Sequence, residues 1–157
     1  MDKRTIFMEL SALLTGLYQI VNDPLVKRMN ESTADEYLLR LTGEFPDRLP
    51  KLLDAYQRLA SAAPKPAIDD VLLAKLRIEP EFTAHKFVAA QIVNIWYFSQ
   101  FLGVEGDKNA PFINGGYFER GFVWETIKAH PIGFSDQPHG YWTKQPNATG
   151  IGVSHGA

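Results

Sequence analysis

The 157-residue chain carries 16 basic and 18 acidic residues, a formal net charge of -2, 45% hydrophobic residues and no cysteine. Interspersed charges with so small an excess exclude the clustered Lys and Arg surface that nucleic-acid binding needs. The lack of cysteine excludes disulfides, thiolate catalysis and thiolate-ligated metal or iron–sulfur centres.

At this length one domain buries roughly two-thirds of the surface that its unfolded chain exposes, so a core can form without a cross-link. Ile6, Leu10, Leu13, Leu14, Leu17 and Val21 recur three and four residues apart, which predicts a first helix over residues 5–21. Asn22-Asp23-Pro24 ends it and starts a short helical turn through Met29. Lys3-Arg4 ahead of Phe7 has a faint likeness to a twin-arginine export signal. Glu9 and the amphipathic pattern that follows, with no small-residue cleavage site, make this stretch a helix of the domain instead.

Ser32 is the expected N-cap of the next helix, with Thr33 as an alternative, because Thr33-x-x-Glu36 has capping-box spacing. Tyr37, Leu38, Leu41 and Phe45 lie along that helix and Pro46 closes it. Asp47 can cap the following one, with Pro50 in its first turn and Leu49, Leu52, Leu53, Tyr56 and Leu59 on one face. Residues 62–66, Ala-Ala-Pro-Lys-Pro, form a stiff connector to a short helix over 68–76. The strongest helical pattern covers 81–102, where Phe82, Phe87, Val88, Ile92, Val93, Ile95, Trp96, Phe98 and Phe101 surround the axis. A helix apolar nearly all round belongs at the centre of a bundle. Gln91, Asn94, Ser99 and Gln100 interrupt the run, and no segment reaches the ~20 apolar residues that span a bilayer.

Residues 103–116 form a loop with Gly106, Pro111 and Gly115-Gly116, and 117–129 return to helix. From His130 the pattern stops, and the last 28 residues hold three Pro, five Gly, Tyr141 and Trp142. The fold class is therefore all-α: a helical bundle around a central hydrophobic helix near 81–102, comprising residues 1–129, with an irregular tail over 130–157 of the same domain.

No catalytic, cofactor-binding or metal-binding constellation stands out. His85, His130, His139 and His155 include no pair at helical ligand spacing, and a metal needs three or four converging ligands. His85 reads as a hydrogen-bonded core or interface residue, and His130 suits a helix C-terminus. Asp35-Glu36 and Asp69-Asp70 are adjacent rather than facing, and both pairs read as first-turn carboxylates that complement the helix dipole. The chain lacks a G-x-S-x-G elbow, a dinucleotide fingerprint and a phosphate loop. Phe134, Tyr141 and Trp142 on a Pro-fixed segment suit a binding surface, and they suit equally a tail that wraps its own bundle.

The order of motifs resembles a known family. Leu10-Ser11-Ala12-Leu13-Leu14-Thr15-Gly16, then Ala90 to Tyr97 ending in Trp96-Tyr97, then Tyr117 to Trp124, Pro131-x-Gly133-Phe134 and Gly140-Tyr141-Trp142-x-x-x-Pro146 resemble the small subunit of membrane-associated, FAD-dependent sorbitol, fructose and glucose dehydrogenase complexes. The resemblance implies a helical accessory subunit that binds no cofactor itself. It implies a partner, the flavin-bearing catalytic subunit, which passes electrons to a multihaem cytochrome c subunit, and a role in maturation, export or stability of that partner. It implies a periplasmic location, membrane-associated through partners; with no export signal evident, the cytoplasm is the alternative. Resemblance is densest in the tail, so Phe134, Pro138, His139, Tyr141, Trp142 and Pro146 are the expected partner-binding residues. Two departures stand out: a twin-arginine signal has almost no room ahead of Leu10, and Gly133-Phe134-Ser135 stands where relatives tend to have cysteine. Two other classes stay open, a helical adaptor or self-associating protein, and a small stand-alone enzyme using His85, His130 or His139.

Overall fold

Asp2 opens the first helix: its carboxylate accepts from the Thr5 hydroxyl at 2.6 Å and the Thr5 amide at 3.0 Å. These two bonds hold the Asp2 carboxyl below the ordinary carboxylate range and satisfy a backbone donor that the helix leaves open. The computed structural model describes residues 2–100 and 121–127. Within them the chain forms eight helices and no β-strand: α1 Lys3–Thr15, α2 Gln19–Asn22, α3 Pro24–Glu44, α4 Arg48–Ala60, α5 Asp70–Arg77, α6 Pro80–Ala84, α7 Lys86–Phe98 and α8 Phe122–Thr126. The all-α expectation holds, and the expected tail over 130–157 lies outside the described residues.

Several boundaries differ from the sequence reading. The first helix stops at Thr15 rather than at Val21, because Gly16 adopts the left-handed conformation (φ 74°) that ends a helix, and the chain re-enters helix at α2. The short turn expected to end at Met29 is instead the start of α3, a single helix of 21 residues. Its cap is Asp23, which accepts from the amides of Leu25 and Val26, with Pro24 in the first turn. Ser32 and Thr33 are therefore mid-helix and cap nothing. Thr33 and Ala34 instead face the core, and Asp35-Glu36 sit in the middle of α3 rather than in a first turn. Asp47 occupies the N-cap position of α4 but makes no side-chain cap bond. Asp69, by contrast, caps α5 through the amides of Val71 and Leu72 at 3.0 Å each, with Asp70 in the first turn as expected. The span expected over 81–102 is divided: α6 ends at Ala84, His85 leaves helical geometry, and α7 runs only to Phe98.

The core has two axes rather than one. Helix α7 buries Val88, Ala89, Gln91, Ile92, Ile95 and Trp96 and packs against α1, α4, α6 and α8. Helix α1 is enclosed still further, with eight consecutive buried residues, Ile6 to Leu13, and neighbours α2, α3, α4, α5 and α7. Each large apolar side chain so buried contributes about 1.5–3 kcal/mol. Complete enclosure also takes Glu9 and Ser11 inside. The Ser11 hydroxyl donates to Phe7 O within its own helix, at 2.7 Å. Glu9 receives the Tyr56 hydroxyl from α4 at 3.1 Å and the Lys65 ammonium at 2.7 Å. A buried carboxylate is tolerated when it is so paired, and here the pairing straps the α4–α5 connector onto α1.

The caps separate cleanly in a mutational test. Asp23→Ala and Asp69→Ala each lower stability by about 1 kcal/mol, whereas Asp47→Ala and Ser32→Ala change it by less than about 0.5 kcal/mol. Urea midpoints of the four variants check this ordering.

Candidate partner-binding site

The ends of α1, α7 and α8 meet at one place, and the local sequence explains why. On α1, the Thr15 hydroxyl donates to Ser11 O at 2.7 Å and accepts from Leu17 N at 3.2 Å, so one side chain closes the helix and starts the turn after Gly16. Tyr97 of α7 donates its hydroxyl to Thr15 O at 3.0 Å, a carbonyl left open by the end of α1. The Leu10–Gly16 stretch and the Trp96-Tyr97 pair thus hold each other directly.

Trp96 sits beneath this seam. Its ring stacks on Phe7 of α1 (centroids 6.5 Å apart), meets the edge of Tyr37 of α3 at 5.1 Å and tilts onto Phe122 of α8 at 5.8 Å. Edge-to-face and offset aromatic pairs contribute about 0.5–1.5 kcal/mol each beyond the area they bury. The Tyr37 and Ser99 hydroxyls lie 3.0 Å apart in the buried interior. Ser99 caps α7 in the left-handed conformation (φ 50°), which costs a non-glycine residue about 1–2 kcal/mol. Asn94 holds the following residue by donating to Gln100 O at 2.7 Å. Gly121, next to Phe122 of the cluster, begins the second described stretch, and Gln100 ends the first.

The expected partner-binding residues Phe134, Pro138, His139, Tyr141, Trp142 and Pro146 lie outside the described residues, as do His130 and His155. His85 is described: it is half-buried at the α6–α7 break, and its Nδ1 is buried without a hydrogen-bond partner. Trp96 Nε1 is in the same state. Among the described residues no three His, Asp or Glu side chains gather as metal ligands. No described helix is long and apolar enough to cross a membrane.

Sequence reasoning missed the Glu9–Tyr56–Lys65 cluster. Glu9 is an ordinary surface residue type on an amphipathic helix, and nothing in its spacing announces that α4 and the connector will cover it. Burial, then the neighbouring Glu9 charge, push the Tyr56 hydroxyl far above its ordinary value of 10.0. The phenol therefore remains a donor and the carboxylate an acceptor, an arrangement for holding rather than for proton transfer. The acceptor capacity of Glu9 faces donors from its own fold, so the cluster is a structural joint. Compared with protein-family models, curated proteins and solved structures, the chain matches none of them.

Two outcomes test this description. Tyr97→Phe costs about 1 kcal/mol through the lost bond to Thr15 O, and Trp96→Ala costs about 3–5 kcal/mol, both read by denaturant unfolding. The pH dependence has a definite sign. The Tyr56 phenol is protonated in the fold above pH 10.0 while the unfolded chain's ionises, so the unfolded state binds fewer protons. Stability is complete below that pH and falls as pH rises further, at up to about 1.4 kcal/mol per pH unit for one proton. Tyr56→Phe flattens that alkaline slope, and part of it remains because burial and Asp70 also raise Tyr18.

Proposed function

We propose that the chain is a helical accessory subunit for the flavin-bearing catalytic subunit of a sugar or sugar-alcohol dehydrogenase of the sorbitol, fructose and glucose type. One observation carries this reading. The motifs that resemble that family are far apart in sequence, and those within the described residues meet in space. Leu10–Gly16 closes α1 against Tyr97, and Phe122 of the third motif lies on Trp96. A shared structural role for separate motifs is what a family-wide scaffold requires. The all-α bundle suits the same reading.

In this reading the chain binds no cofactor, the FAD resides in the partner, and electrons pass onward to a multihaem cytochrome c. The complex works in the periplasm and reaches the membrane through those partners. Phe134, Pro138, His139, Tyr141, Trp142 and Pro146 form the contact with the catalytic chain, because rigid aromatics on a Pro-fixed backbone bury large area at small entropic cost. The accessory chain supports maturation, export or stability of its partner.

Affinity purification of the chain from its source cell checks this. A flavoprotein with sugar- or polyol-oxidising activity co-purifies, and the Tyr141→Ala/Trp142→Ala double variant captures at least tenfold less of it, while melting like the parent. Deleting the gene lowers that dehydrogenase activity. Capture of no flavoprotein, together with unchanged activity in the deletion strain, overturns the reading.

A further inference from the structure

The outer face of α3 carries exposed apolar side chains among its polar ones. A surface helix ordinarily keeps its apolar residues on the core side and polar residues outside. Helix α3 already buries Thr33, Ala34, Tyr37 and Leu41 inward. Yet Leu25, Met29 and Leu39 on its other side are 67%, 68% and 74% exposed. They belong to a seam in which residues 25, 29, 32, 36, 39 and 43 follow one another at alternating spacings of four and three, the repeat that lets two helices pack along their length. At 21 residues the helix is about 30 Å long.

The pattern is self-complementary. Under a two-fold axis through Ser32, two antiparallel copies of α3 bring each residue 32 + n opposite residue 32 - n of the other copy. Leu39 then meets Leu25 of the second copy. Arg28 likewise meets Glu36 of the second copy, pairing opposite charges. Serine, a small residue, stands at the crossing point, where the two backbones come closest.

We propose that the outer face of α3 pairs with the same face of a second copy of this chain, as an antiparallel two-fold dimer centred on Ser32. The proposal stands apart from the dehydrogenase reading, since it concerns a different face and needs no other protein. A single helix face is a small interface, so the association is reversible and concentration-dependent.

The lack of cysteine makes the test direct. Only residues at a two-fold axis lie opposite their own copies. Two packed helices about 8–10 Å apart bring facing Cα atoms into the range that a disulfide bridges. Ser32→Cys under mild oxidation therefore gives a cross-linked dimer, whereas Ser61→Cys, exposed at the end of α4, does not. Sedimentation equilibrium of the parent chain shows mass rising toward two copies with concentration. Leu39→Glu holds it at one copy, and Arg28→Asp weakens association about tenfold. The Arg28→Asp/Glu36→Arg exchange restores it. Arg28, Ser32, Leu39 and Ser61 are exposed and Glu36 is half-buried, and thermal melts confirm that each variant folds. A parent mass of one chain up to about 1 mM, the weak end of measurable affinity, overturns the proposal. So does a dimer that survives Leu39→Glu, or one in which Ser61→Cys cross-links and Ser32→Cys does not.

Discussion

The seam between α1 and α7 is the constraint on which the rest of the bundle depends. Tyr97 reaches the last open carbonyl region of α1 at Thr15, and Trp96 lies against Phe7 one layer below. Once these two helices are joined, Tyr37 of α3 and Phe122 of α8 have an aromatic surface to pack on. Full enclosure of α1 then sets its own requirement. A helix buried on all sides cannot send its polar residues to water, so Ser11 turns to its own backbone and Glu9 recruits Tyr56 and Lys65. The connector between α4 and α5 is thus fixed by a polar need that arises in α1.

What was legible in the sequence was whatever depends on near neighbours. The apolar face of α4, with Leu49, Leu52, Leu53 and Tyr56 all buried, follows from spacing alone. The first-turn place of Asp70 in α5 follows from residue type and position, although Asp69, read as its first-turn companion, is the cap itself. Local signals failed where tertiary packing outweighed them. Thr33-x-x-Glu36 has the spacing of a helix start, but Thr33 and Ala34 are needed against the core and no glycine or proline intervenes between Pro24 and Gly43. Continuing the helix keeps the backbone bonds and buries both residues. The break at His85 follows no glycine, so nothing in composition marks it. At the seam between α1 and α7, the motifs were visible as strings, but their mutual contact was not, because Thr15 and Tyr97 are 82 residues apart.

The exposed apolar residues of α3 stand on the opposite side of that helix from Tyr37, which faces Trp96. Ser99 ties the end of α7 to the same layer: its left-handed backbone closes the helix, and its hydroxyl lies against Tyr37 in the core. The place where α7 stops is therefore set by the buried layer that holds Trp96.

The enclosure of α1 also shapes how the protein comes into being. Translation delivers the amino-terminal end first, so Thr15 emerges 82 residues before Tyr97, its partner across the seam. At about 5–20 residues per second the ribosome needs roughly 4–16 s to supply it. Throughout that interval the side of α1 that meets α7 has no permanent cover, and only α2 to α5 are there to pack on the rest of it.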